Sequence, residues 1–310
     1  QKVVDISKTA DKIELIHRKA PEGVFQEAVT PGYPDFYIAW ILQTTGGYYV
    51  YGNFESYNNN GGKGLLKFFD NGIEDPSFNV GSGLNSYPYS GAEMMEHDGK
   101  LYISGSFTEY NSVPASRIVC LNLDGSINTS FVTTGFNNFT IGLASSSDGR
   151  IYVCGAFSTY NGISVPRFVK LTLTGDIDTS FIMGTGFNNV TIDVIYIPST
   201  SNLVVLGYFS KYNGETTGNI VMLDVSGARV PSFVSGTGFN TVNSEPNKGV
   251  LTPDNKLVIA GYFTEYNGIP SNYIIRLNLD GSVDTSFAIG TGFDKAVYDV
   301  KILESGRYLV

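Results

Sequence analysis

The chain has 310 residues, 42% apolar and only 16% charged, and its 20 Phe and 20 Tyr exclude an intrinsically disordered polypeptide. Against 29 Asp and Glu stand 20 Lys and Arg, and the resulting net charge of −9 argues against nucleic acid or an anionic membrane as a partner. The longest apolar run, residues 36–42, is far short of the ~20 residues a membrane helix needs, and 2 Cys with 2 His make neither a disulfide framework nor a histidine-rich metal site.

The chain starts at Gln1 without an initiator Met or a signal-like apolar stretch, which predicts a processed chain or a fragment. Within residues 1–32, the runs Ile13-Glu14-Leu15-Ile16 and Val24-Phe25 fall where a third and a fourth strand would complete a sheet begun elsewhere. From about Tyr33 a repeat takes over. Gly-x-Phe occurs at Gly52, Gly105, Gly155, Gly207 and Gly261, and each is followed at one offset by Tyr-Asn, at Tyr57, Tyr110, Tyr160, Tyr212 and Tyr266. A Ser-Phe follows 26 residues after every Gly, ending at Phe78, Phe131, Phe181, Phe233 and Phe287. Then comes a marker Gly with an apolar neighbour, at Gly83, Gly135, Gly186, Gly238 and Gly292, and the period is 50 to 54 residues.

The third repeat shows the unit. Residues 139–146 read as a buried first strand, and Ser147-Asp148-Gly149 as a tight hairpin turn, since Asp-Gly favours positive φ. Residues 150–157 read as the second strand, with Ile151 and Val153 alternating against Arg150 and Tyr152. A loop with Tyr160-Asn161-Gly162 precedes a third strand over 167–173, and Thr174-Gly175-Asp176 turns into a short outer strand over 177–182. Four antiparallel strands per ~50 residues is the period of a β-propeller blade, which must stack on neighbours to hide both faces. The sequence therefore predicts an all-β β-propeller over residues 33–310, with five full repeats and two strands of a sixth, at 297–303 and 307–310. Strands from 1–32 would complete that last blade and close the ring at six, or a longer native chain would reach seven. The strand-like end Arg307-Tyr308-Leu309-Val310 predicts that the natural polypeptide continues.

The runs Leu121-Asn-Leu-Asp-Gly-Ser-Ile-Asn-Thr-Ser-Phe131 and Leu277-Asn-Leu-Asp-Gly-Ser-Val-Asp-Thr-Ser-Phe287, with Asp148-Gly149-Arg150 and the Gly-x-Phe-x-x-Tyr-Asn-Gly pattern, resemble the delta-60 repeat β-propeller family. The first and fourth repeats depart most, at Asp70-Asn-Gly-Ile-Glu-Asp-Pro76 and Ser226-Gly-Ala-Arg-Val-Pro231. The resemblance implies a bacterial surface protein or a phage tail or fibre component, and brings no catalytic motif.

Two sets of residues are candidates for binding. The repeated Tyr57, Tyr110, Tyr160, Tyr212 and Tyr266 could form an aromatic carbohydrate platform, or pack between blades as a solution to a structural problem every blade shares. The second set lies on first strands, which line a propeller's channel. Seven residues after the marker Gly stand Asp193 and Asp299, with Ser90 and Gly142 at that count in repeats two and three. Glu245 holds the same count in repeat five, although Lys248 is the alternative equivalent, and Glu93 lies on the first strand of repeat two. These acids could bind a cation or a basic side chain, hydrolyse a glycoside if correctly spaced, or merely line water.

The Asn-x-Asp-Gly turns at Asn122 and Asn278 read as Asx turns rather than calcium loops, because Thr174 and Ser226 replace the central carboxylate elsewhere. His17 and His97 are isolated, Cys120 and Cys154 read as free inert thiols, and Trp40 reads as core. Gly184-Thr-Gly-Phe187 lacks the helix that phosphate binding needs. The functional expectation is a non-enzymatic, extracytoplasmic binding or structural module. It needs no cofactor or metal, and its partners are protein subunits of an assembly or surface glycan, with no membrane insertion. A glycan hydrolase using channel carboxylates and a pure spacer are the competing classes.

Overall fold

The computed structural model describes residues 3–5, 14–16, 25–26, 37–54, 56–57, 64–86, 92–239, 245–303 and 306–310. All regular structure among them is β. The chain divides into two compact units. One comprises Lys19–Val165 and Val169–Asp178; the other comprises Gln1–Arg18, Pro166–Phe168 and Thr179–Val310.

The first of these units holds repeats one to three. Their sheets are Tyr37–Thr44, Gly47–Asn53 and Leu65–Phe68; Met94–His97, Lys100–Ser104 and Ile118–Asn122; and Thr140–Ser145, Ile151–Gly155 and Phe168–Leu171. The second unit holds repeats four and five, with sheets Thr191–Ile197, Asn202–Gly207 and Ile220–Leu223, then Pro246–Leu251, Leu257–Gly261 and Ile274–Leu277. In each the Gly-x-Phe strand is central and pairs antiparallel with its neighbours.

The fourth strand expected of each repeat survives as one isolated bridge: Phe68↔Glu74, Leu121↔Ile127, Leu171↔Ile177, Leu223↔Arg229 and Leu277↔Val283. The ladder stops there because the next residues turn a corner. Asp75, Asn128 and Asp284 each accept the backbone N–H of the Ser two residues on, at 3.0, 3.2 and 3.1 Å, forming Asx turns that send the Phe inward.

The second strand is buried on both faces, so its alternation is not one of core against solvent. Leu257 and Ile259 join a core shared with repeat four, while Val258 and Ala260 join Val297, Val300 and Tyr308 on the other side. In repeat three Tyr152 is as fully buried as Ile151 and Val153, contrary to the alternation expected there. For Leu257–Gly261 stacking within the unit explains it, with the sheet of repeat four on one side and the residues of the C-terminal strands on the other.

A four-stranded sheet in the second unit orders Glu14–Ile16, Val3–Asp5, Tyr308–Leu309 and Lys301–Ile302, with Asp5 opposite Leu309. The third position is thus taken by Val3–Asp5, and Glu14–Ile16 is fourth rather than third. Phe25–Gln26 pairs instead with Ser56–Tyr57 in the other unit. The turn at Glu304-Ser305, His17 and Ser90 lie outside the described residues.

One contact recurs between successive repeats. The residue after Ser-Phe donates its N–H to the carbonyl just before the next repeat's turn glycine: Asn79 to Asp124 (2.8 Å), Val132 to Thr174 (2.9 Å), Ile182 to Ser226 (2.7 Å) and Val234 to Asp280 (2.8 Å). The glycine lies flat against that neighbour. Gly175 has φ +88°, and a β-carbon there would sit 2.8 Å from the Val132 carbonyl oxygen, whereas Gly162 has φ +78° and open space around it. Gly162→Ala is therefore expected to cost about 1 kcal/mol, from backbone strain alone. Gly175→Ala is expected to cost about 2–4 kcal/mol, strain and clash together. Denaturant melts of the two variants check the difference, and equal losses would show that the inter-repeat approach is unimportant.

Candidate functional site

The repeated tyrosines are interior. Tyr110, Tyr160, Tyr212 and Tyr266 each begin a two-residue hairpin, such as Thr159–Tyr160 with Ile163–Ser164, whose Asn turns at φ near +50°. Every hydroxyl donates to the turn-glycine carbonyl of its own repeat: Tyr110 to Gly125, Tyr160 to Gly175 and Tyr212 to Gly227 at 2.6 Å, and Tyr266 to Gly281 at 3.0 Å. Tyr57 is buried too, edge-on to Phe68 with centroids 5.1 Å apart. The following Asn fastens the hairpin to the marker glycine. In repeat five, Asn267 N–H donates to the Gly238 carbonyl and its Oδ1 accepts the Gly238 N–H, both at 2.8 Å. Burial pushes the Tyr110, Tyr212 and Tyr266 phenols up from their ordinary range, and pushes Tyr160 up to about 12.

The first-strand carboxylates are placed by strand pairing rather than by count from the marker glycine. Glu93 bonds opposite Ser104, Asp193 opposite Leu206 and Lys248 opposite Ala260, each facing the residue before the Gly of Gly-x-Phe. Lys248, not Glu245, is therefore the equivalent of Asp193, and Glu93 is the equivalent in repeat two. The connection after the marker glycine varies in length, so the count drifts. Asp299 belongs to the series, because Val297 N–H bonds the Gly261 carbonyl as Thr140 N–H bonds that of Gly105, two residues before Gly142.

These acids act as struts. Glu93 Oε2 accepts the Leu143 N–H of the next repeat at 2.6 Å. Asp193, 1% exposed, accepts the Gly249 N–H through Oδ2 and pairs with Lys248 Nζ through Oδ1, both at 2.8 Å. Asp299 is exposed and accepts its neighbour Val300's N–H at 2.9 Å. Asp124 and Asp280 form the Asx turns expected, bonding Ser126 and Ser282 N–H at 2.9 Å. Cys120 and Cys154 are free and buried. His97 closes the strand Met94–His97 and is half-buried. Trp40 packs against the core of repeats one and two. Among the described residues no group of three or more His, Cys, Asp or Glu could hold a metal.

A different cluster faces solvent. The middle residue of Gly-x-Phe is Asn53, Ser106 and Ala156 in the first three repeats but Tyr208 and Tyr262 in the next two, 37% and 38% exposed. Tyr298, 68% exposed, donates to or accepts from neither core nor turn; the Tyr262 hydroxyl donates to its hydroxyl at 2.5 Å, and the rings meet edge to face with centroids 5.4 Å apart. Glu245, just ahead of the first strand of repeat five, binds the Tyr262 N–H through its backbone carbonyl at 2.8 Å, and its side-chain charge acts on the Tyr208 phenol. Burial first, then the Glu245 charge, push Tyr208 up to about 12. Tyr262 is pushed to about 12 by its bond to Tyr298, with burial, the Tyr298 charge and Glu245 adding less. Of the candidates read from sequence only Glu245 belongs to this arc. The signal for Tyr208 and Tyr262 was the one variable residue inside an otherwise fixed motif.

The protein-family model described as "Domain of unknown function (DUF5122) beta-propeller" matches residues 97–131, 146–181 and 252–287. The repeat is a β-propeller repeat. Those spans run from the first hairpin to Ser-Phe in repeats two, three and five, and so contain the tyrosine–glycine bond of each. No curated protein matches the chain. Among solved structures it is similar to two extracellular domains of hybrid two component systems from B. thetaiotaomicron. One matches at 11% identity over 93% of this chain and 39% of that one (TM-score 0.43), the other at 13% over 88% and 40% (TM-score 0.38). YCF48 from Cyanidioschyzon merolae matches at 12% identity over 85% of this chain and 78% of that one (TM-score 0.38). The chain thus spans about two fifths of the length of the first two.

The buried phenols of the propeller repeats set an alkaline limit. Because their folded pKa values lie above the unfolded value of about 10, the unfolded chain ionises first; stability is intact below about pH 10 and falls as pH rises toward 12. Phenolate absorbance and unfolding should therefore rise together in an alkaline titration; buried tyrosines that ionise before the fold opens would contradict this. Asp193→Ala removes the ion pair to Lys248 and leaves the Gly249 N–H without its acceptor, and is expected to cost about 2–4 kcal/mol in a denaturant melt. A loss below about 1 kcal/mol would make Asp193 a dispensable residue, free for a binding role.

Proposed function

We propose that the chain is a non-enzymatic, extracytoplasmic recognition and structural module, a delta-60-type propeller whose sixth blade is the composite sheet of N- and C-terminal strands. It would serve on a bacterial surface or in a phage tail or fibre, recognising protein or glycan partners. The observation that carries the reading is the exposed arc of Tyr208, Tyr262 and Tyr298 around Glu245, which the fold does not use and which breaks the symmetry of the repeats. Exposed tyrosines supply large amphipathic contact area at small entropic cost, as recognition surfaces do. Recognition is favoured over glycoside hydrolysis because Asp193 and Glu93, the buried first-strand acids, are held by backbone N–H groups and, for Asp193, by Lys248. A hydrolase needs two carboxyl groups free to exchange protons across a sugar.

The test is to expose the immobilised full chain to arrayed glycans and to purified bacterial surface proteins. Retention of a partner that the Tyr208→Ala, Tyr262→Ala double variant loses, at unchanged melting temperature and without turnover, is expected. Cleavage of a glycan that Asp299→Asn abolishes would overturn the reading in favour of an enzyme.

A further inference from the structure

Resting on the reading of the tyrosine arc as a recognition surface, we propose that Tyr208, Glu245, Tyr262 and Tyr298 form a site for an organic cation, an ammonium head group walled by phenol rings and held by the Glu245 carboxylate. Three features of the arc select this ligand class. The first is shape. Tyr262 and Tyr298 stand at 90° to one another. A sugar ring stacks on a floor of near-coplanar rings, and cannot lie on two rings that meet as a corner. A compact tetrahedral cation can touch both walls of a corner, where the negative faces of the rings attract it.

The second feature is charge. Glu245 is half-buried, its charge acts on the Tyr208 phenol, and among the described residues no Lys or Arg forms an ion pair with it. This contrasts with the acids of the repeat corners and struts: Asp75 pairs with Lys67, Asp178 with Arg150 and Lys170, Asp193 with Lys248, and Asp284 with Lys256 and Arg276. A partly desolvated carboxylate without a basic partner favours an incoming cation. Glu245 raises the phenols of both Tyr208 and Tyr262, so its field spans two successive repeats. A field that opposes phenolate at those rings stabilises a positive charge among them. The third feature lies in the hydroxyls. The Tyr262 proton is committed to the Tyr298 hydroxyl. Fewer donors are left to read sugar hydroxyls, while the ring faces and the carboxylate lone pairs stay open. The chain's net charge of −9 adds long-range attraction for cations.

Choline, its uncharged isostere 3,3-dimethyl-1-butanol, tetralysine amide and maltohexaose, each titrated into the full chain and followed by ligand-detected NMR, test the proposal. Choline is expected to bind in the millimolar range and the isostere about tenfold more weakly or worse. Glu245→Gln and Tyr262→Ala are each expected to weaken choline about tenfold with an unchanged circular-dichroism melt. Displacement of choline by tetralysine amide would mean a lysine side chain as the natural cation, and its failure to displace would mean a free small ammonium compound; both support the class. Equal binding of choline and its isostere, insensitivity to Glu245→Gln, or no choline binding at all would overturn it. Maltohexaose binding that Tyr262→Ala abolishes, with choline inert, would overturn the cation and leave the recognition surface standing. Loss of every partner's dependence on Tyr208 and Tyr262 would remove that surface itself.

Discussion

In repeats two to five one turn glycine is engaged on two sides at once, and much of the surrounding structure is arranged to keep it so. In repeat three the Gly175 carbonyl accepts the Tyr160 hydroxyl, while its Cα lies against the Val132 backbone of the repeat before, next to the hydrogen bond from Val132 to Thr174. The tyrosine ties the loop between second and third strands to the turn after the third. The backbone contact ties one repeat to the next. Neither tolerates a side chain at the glycine, and the fully buried phenol needs that acceptor to avoid an unsatisfied donor. The same pairing at Gly125, Gly227 and Gly281 shows why Tyr and Gly recur at fixed distance.

At the third-strand corner, charge varies between repeats only in matched pairs. The third-strand residue and the corner residue eight positions later are Lys67 with Asp75, Lys170 with Asp178 and Arg276 with Asp284. Where the strand carries Cys120 the corner carries neutral Asn128, whose amide reaches the sulfur at 3.3 Å. Where it carries Met222 the corner carries Val230, bonded only through its backbone. Burial works against the Asp284 carboxylate, yet the bonds from Lys256 and Ser286 and the charge of Arg276 outweigh it and hold the carboxyl below the usual range. A lone acid or base at this depth would be costly, so the two positions change together or not at all. Cys120 is thus the neutral member of an exchangeable pair, and burial pushes its thiol up, away from reactivity.

What the sequence made legible follows from the same constraints. The period, the central strand and the Asx corners repeat because each solves one packing problem per repeat, and pattern reading recovers such solutions. The count from the marker glycine puts Asp193 and Asp299 at equivalent places but also Glu245, because the connection between the marker glycine and the first strand is longer in repeat five. Strand pairing puts Lys248, the alternative, opposite Ala260 as Asp193 is opposite Leu206. The outer strand was overestimated because hydrophobic alternation continues through residues that an Asx turn has already bent out of the ladder. The closing strands were displaced by one element because Val3–Asp5 is too short to carry a periodic signal.

The exposed arc lay hidden for a different reason. Tyr208 and Tyr262 stand at the one variable position of Gly-x-Phe, where Asn53, Ser106 and Ala156 serve the fold equally well. Repetition draws attention to what every repeat must keep, and those residues are occupied by folding. A position the fold leaves unconstrained is free to specialise in two adjacent repeats. Three exposed aromatic side chains beside an acid that makes no ion pair among the described residues, in a chain that buries its repeated tyrosines, are a concentration of unused contact surface that stability alone does not explain. In a symmetric scaffold the departures from the repeat, rather than its invariants, mark where a ligand would be read.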